Sequence, residues 1–248
     1  MNWVLIRGLA RTRTHWREFP KLLQNQLGGE LICLDLPGVG QESHLESPIN
    51  IKDYSEYLHQ KFSSLKAARS NGPWALVAIS LGGMVALDWV ARYPTDFSKL
   101  VTLNTSAGNL CAPTDRLSFE AIQTIGKLFF GRNVATRERA ILELTTNICH
   151  IDELIVNEWV EIDRASPLRR KTFVRQLIAA SRFQVPESLP FVPLILVGAK
   201  DRLTSPVCSQ LLAQHLHCGY QSHPEAGHDL PLDDPQWIVT QIENYLAS

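Results

Sequence analysis

The run Trp74-Ala75-Leu76-Val77-Ala78-Ile79, followed at once by Ser80-Leu81-Gly82-Gly83, constrains this chain most. Six consecutive apolar residues read as a buried strand, and Met84 to Tyr93 has helical composition. A strand that passes into a helix within a few residues puts Ser80 at the apex of a sharp turn. Such a turn leaves no room for a side chain two positions before or after the hydroxyl, so Ala78 and Gly82 meet a steric requirement. A glycine-containing helix start capped by serine is the alternative reading of the same residues.

Two later stretches bear on that choice. Leu194 to Asp201 is an apolar strand that ends in an aspartate, and Glu225-Ala226-Gly227-His228-Asp229 sets a histidine in a glycine-marked loop. The order Ser80, Asp201, His228, each just past a predicted strand, resembles the α/β-hydrolase superfamily, and the likeness runs nearly the whole length. Ala78 stands where the common G-x-S-x-G pattern has its first glycine, a small departure. Asp35-Leu36-Pro37-Gly38-Val39-Gly40 is similar to a structural turn of the same superfamily, and Gly198-x-x-Asp201-x-x-x-x-Pro206 is similar to the setting of its acid.

With 248 residues, 45% of them hydrophobic, the chain can bury a sizeable core, and one α/β domain is expected. A net charge of −1 argues against nucleic acid or an acidic lipid surface as the main partner. No window approaches the roughly 20 apolar residues of a membrane helix, and the N-terminal segment lacks the flanks of a signal peptide, so a cytoplasmic, soluble protein is expected. Five scattered cysteines without a C-x-x-C pair read as reduced thiols, with no zinc site or disulfide framework.

Taken in order, Trp3 to Ile6 is a strand, Thr14 to Leu27 has helical spacing, and Glu30 to Leu34 is the next strand. A first strand this close to residue 1 leaves no room for the antiparallel hairpin of many relatives. A mainly parallel sheet of about six strands flanked by helices is therefore expected. After the strand Leu100 to Leu103, the loop Asn104 to Gly108 is expected beside Ser80. From residue 110 to 185 strands disappear and amphipathic helices take over, which the resemblance identifies as a helical cap inserted late in the sheet. Residues 1–109 and 186–248 are then the core of the same domain. Phe129, Phe130, Leu142 and Leu144 hint at an acyl pocket, although packing between cap and sheet explains them equally well.

A serine hydroxyl needs a base to act as a nucleophile and a third group to orient that base. Ser80, His228 and Asp201 supply these roles in the resemblance, and the backbone N–H groups of Leu9 and Leu81 are the implied oxyanion donors. Arg7 replaces the histidine of the usual His-Gly-X; it is either a surface arginine or a charge near the site. No metal or organic cofactor is required. The expected activity is hydrolysis of a small-molecule carboxylic ester through an acyl-serine.

A C–C bond hydrolase or lyase and a non-hydrolytic ligand receptor share the pattern and stay open. Met84 stands where the menaquinone-pathway lyase of this fold has arginine, which lowers that reading. The chain looks most like carboxylesterases and pimeloyl-carrier methyl ester esterases. The basic run Arg164, Arg169, Arg170, Lys171, Arg175 and Arg182 is then either a docking face for an acidic acyl carrier protein or a solvated helix face.

Overall fold

The structure is a computed structural model that describes residues 1–69, 72–130 and 133–247, with backbone alone at 127–130. Six parallel strands form one sheet in the order β2-β1-β3-β4-β5-β6: β1 Asn2–Ile6, β2 Leu31–Leu34, β3 Trp74–Ile79, β4 Lys99–Leu103, β5 Leu194–Gly198 and β6 Tyr220–His223. Parallel strands need crossovers, and the helices that supply them cover both faces of the sheet. On one face lie α1 Phe19–Leu27 and α11 Pro235–Ala247. The other carries α2 Ile51–Lys66, α3 Leu81–Arg92 and α9 Val207–His215. The short helix α10 Leu230–Asp233 leads into α11.

The strand order reverses between β1 and β3: the chain first moves outward to β2, then returns to β1's other side. Such a switch point opens a crevice at the carboxyl ends of the strands, where ligands of α/β sheets bind. Ser80 leaves β3 and Leu9 follows β1 at that crevice, with Ile6 beside Ala78 in the register.

Between β4 and β5 the regular elements among the described residues are helices: α4 Pro113–Arg116, α5 Phe119–Phe130, α6 Val134–Thr145, α7 Glu153–Ala165 and α8 Arg170–Arg182. Leu142, Ile155, Val156, Trp159 and Val160 make a separate apolar cluster within α6 and α7. Helix α8 behaves differently, because Ala179 joins the sheet core together with Phe183 and Val185 just past the helix. The Phe129 and Phe130 side chains lie outside the described residues.

The helix expected over Thr14 to Leu27 is two pieces. A 3-10 turn, Arg13–Trp16, precedes α1, and Arg17 between them has φ 48°. Periodicity cannot see this break, because Trp16 and Phe19 pack into the same core cluster on either side of it. Proline at the second position of α1 tolerates a helix start and not a continuing helix.

Candidate active site

The strand-to-helix turn holds Ser80 at φ 56°, a left-handed backbone that costs a non-glycine residue about 1–3 kcal/mol. Its amide N–H is anchored to the Leu103 carbonyl at 2.8 Å. A Cβ on Gly82 would stand 2.5 Å from the Arg7 carbonyl, and Ala78 is fully buried, so both neighbours of the serine must be small.

Asp201 and His228 arrive from two other strand ends, after β5 and β6. His228 Nδ1 lies 2.7 Å from Asp201 Oδ2, and both side chains are almost wholly buried. The other carboxylate oxygen, Oδ1, accepts the Leu203 and Thr204 amides at 2.8 and 2.9 Å, which leaves Oδ2 for the ring. Ser80, His228 and Leu9 line one cavity of about 240 Å³. Among the described residues, Ser80 and His228 share that cavity with no hydrogen bond between them; in ligand-free sites such contacts are often long. Leu81 is buried at the start of α3, directly after Ser80.

Asn104, which sequence reasoning placed only in a neighbouring loop, ties these parts together. Its Nδ2 donates to the His228 and Gly227 carbonyls at 2.7 and 3.1 Å, and its Oδ1 accepts the Gly198 amide at 2.8 Å. One side chain thus joins the ends of β4 and β5 to the histidine loop. Asn104 sits at φ 46°, a conformation asparagine tolerates better than most residues. A polar residue directly after an apolar strand was the only available signal. Thr105 and Ser106 are buried in the same loop, and Thr105 packs against Gly83, so the loop does lie beside the serine turn.

Arg7 is not a surface arginine. It is buried and makes two hydrogen bonds to Asp229, the residue after His228. It also lies over the Trp16 ring, 5.0 Å from the centroid, so the second expectation, a charge near the site, is what the fold delivers.

Opposite the sheet, the cavity wall comes from the helical segment and is both apolar and charged. Ile125, Ile141, Leu144, Ile162, Leu168 and Phe173 supply the apolar part. Leu142, by contrast, is buried in the helical cluster. Glu138 accepts from Arg11 at 2.7 Å and from Arg137 at 3.0 Å, and Arg137 also pairs with Asp163 at 2.6 Å. Burial by itself would raise the Glu138 pKa, but the two guanidiniums outweigh it and hold the carboxyl below its ordinary value. Arg11 lies 4.2 Å from the centre of the Trp159 ring. His15, packed edge-on against Trp159, is held well below the usual imidazole pKa, chiefly by burial and then by Arg11 and Arg7.

Several other polar residues singled out in the sequence have structural partners. Asp35 accepts the Arg13 and Gln41 amides, as a turn residue should. His59 stacks on Tyr93 and meets Asp96 at 2.6 Å. Met84 is buried, packed by Arg116. In the basic run, Lys171 and Arg175 engage Glu46, Arg169 engages the Ser43 carbonyl and Arg164 engages Glu161. No metal-binding cluster of His, Cys, Asp or Glu, and no helix long and apolar enough to cross a membrane, occurs among the described residues.

Known proteins resemble this chain over nearly its whole length. The chain is 26% identical to the "Putative 2-succinyl-6-hydroxy-2,4-cyclohexadiene-1-carboxylate synthase" of Haemophilus influenzae, over 98% of this chain and 96% of that protein. It is 23% identical to the monoacylglycerol lipase ABHD6 of Homo sapiens, over 99% of this chain and 75% of that protein. The solved structure of a hydrolase from Pseudomonas aeruginosa PA01 superposes with a TM-score of 0.74 at 16% identity, covering 100% of this chain and 90% of that one. Residues 3–241 match the sequence profile of the Alpha/beta hydrolase family, and with the serine turn and the Asp-His pair at three strand ends the chain belongs to that family.

Proposed function

We propose that this protein is a serine hydrolase of small-molecule carboxylic esters. The observation that carries the reading is the 2.7 Å His228–Asp201 contact at the edge of a cavity that also holds Ser80 on its strained turn. Asp201 keeps the His228 Nδ1 proton on its own side, so Nε2 is free to take the Ser80 proton as the hydroxyl oxygen attacks the ester carbonyl carbon. The new C–O bond turns the carbonyl oxygen into an oxyanion, which the Leu9 and Leu81 N–H groups meet; one such donor is worth about 3–4 kcal/mol of barrier. His228 returns its proton to the leaving alcohol, and water then releases the acid by the same steps in reverse. The apolar helical wall takes the acyl chain.

The test is turnover of p-nitrophenyl esters of graded chain length, with Ser80→Ala beside wild type. Turnover that disappears in the variant supports the reading, and equal turnover overturns it. Docking of an acidic acyl carrier protein on the basic run Arg164 to Arg182 belongs to the same proposal. Unchanged hydrolysis of a carrier-bound ester at low salt after reversing the charges of Arg169 and Arg170 would remove that part.

A second reading, a C–C bond hydrolase or lyase of the same fold, is favoured by the near full-length similarity to the Haemophilus synthase. Against it stands Met84, packed in the core at the position where the resembling lyase carries arginine. A folded protein without ester turnover would move the assignment to that reading.

A further inference from the structure

Arg7 and Asp229 form a buried pair with two parallel bonds, Nη1 to Oδ1 at 3.0 Å and Nη2 to Oδ2 at 2.6 Å. Their side chains are only 4% and 6% exposed. A buried ion pair is weak evidence for stability, because apolar residues of similar volume often replace one without loss. Its placement suggests a different use. Asp229 follows His228 in the chain, and Arg7 precedes Gly8 and Leu9. The Arg7 carbonyl packs on Gly82, and a Cβ on Gly8 would meet that of Ser80 at 3.0 Å. The contacts therefore close a ring: serine turn, Gly8–Leu9 segment, Arg7, Asp229, histidine. Trp16 fixes the guanidinium plane from one side, and the Asp229 amide is held by the Thr145 carbonyl at 2.8 Å.

We infer that the Arg7–Asp229 pair is a positioning strap that sets the His228 ring and the Leu9 N–H at fixed places relative to Ser80. The inference rests on the functional reading above. The pair touches no reacting atom; it acts through the two backbone segments it joins. A guanidinium suits this task because its planar fork fixes orientation as well as distance, which a lysine ammonium cannot do.

The deciding variant is Arg7→Met combined with Asp229→Leu, which removes the strap without leaving a buried charge. Two rates are read: labelling of Ser80 by a fluorophosphonate probe, which needs no knowledge of the substrate, and hydrolysis of a short p-nitrophenyl ester. With the melting temperature close to wild type, labelling and kcat are expected to fall about 10- to 100-fold, with KM changed less than about threefold. A folded double variant that labels and turns over at the wild-type rate overturns the strap. Should that variant not fold, Arg7→Lys keeps the charge and loses the fork; labelling about three- to tenfold slower is expected, and an unchanged rate again overturns the proposal. Ser80→Ala runs beside both. Labelling that persists in it refutes the functional reading itself, so the two failures are told apart.

Discussion

The two walls of the cavity are built by different physics. On the sheet side, Ser80, Asp201, His228 and Asn104 stand within a few residues of four strand ends; hydrogen bonds of 2.7–3.1 Å join the last three, and glycines that admit no Cβ pack around the serine turn. On the helical side, long side chains from α6 and α7 reach the Arg11 segment, and Glu138 is shared between Arg11 and Arg137. A wall anchored by backbone holds atoms to a fraction of an ångström, as bond-making requires. A wall of long side chains on helices that share their own apolar cluster can change shape without disturbing the sheet. Substitutions on the sheet side should therefore act on kcat, and those on the helical side on KM and stability.

Removing the Ser80 hydroxyl is the strongest test of that contrast. Ser80→Ala is expected to lower kcat by at least about 10⁴-fold, with the melting temperature within a few degrees of wild type, read by ester assay and calorimetry. Asn104→Ala comes next, since it frees the histidine loop and leaves the Gly198 amide unpaired. A kcat loss of about 10- to 100-fold is expected, with a stability loss of about 1–3 kcal/mol. If only stability changes, the clamp is structural and the contrast weakens.

Glu138→Gln probes the opposite wall. It leaves two guanidiniums without their shared carboxylate, and breaking a buried pair costs about 3–5 kcal/mol, a melting shift on the order of 10 °C. KM should rise while kcat stays within a few-fold of wild type; a kcat loss as large as that of Asn104→Ala would erase the distinction between the walls.

The smallest effect concerns pH. His15 has a lowered pKa in the folded protein and an ordinary one, about 6.5, when unfolded. Below about pH 6.5 the unfolded chain binds a proton that the folded one refuses, so stability falls as pH drops through that value, by up to about 1.4 kcal/mol per unit. Above it, His15 contributes no pH dependence. His15→Gln should flatten this slope between about pH 6.5 and 5 in chemical denaturation, and an unchanged slope would assign it to other groups.

Much of the sheet wall was legible along the chain. Ser80, Asp201 and His228 each follow a predicted strand, and Ser80 and His228 carry small or glycine neighbours, a local signature of a close turn. Five of the strands could be read from apolar runs, because strands buried on both faces are apolar throughout, whereas the edge strand β6, Tyr220–His223, is polar and mostly exposed. The break at Arg17 escaped, since two short segments packed on one core keep a single apolar rhythm. The helical wall gave helices from periodicity but no account of its charges, because Glu138 finds Arg11 across 127 positions.

By itself, then, the sequence determined the order of strands and helices, the turn that carries the serine and the identity of the three residues proposed for the chemistry. Short-range sterics and burial decide those features, and both are written in neighbouring residues. Only the tertiary structure decided that Arg7 is a buried partner of Asp229, 222 positions away, and that Asn104 holds the histidine loop. A charged or polar side chain takes whichever partner the fold brings within hydrogen-bonding distance, and that distance does not exist until the strands are in register.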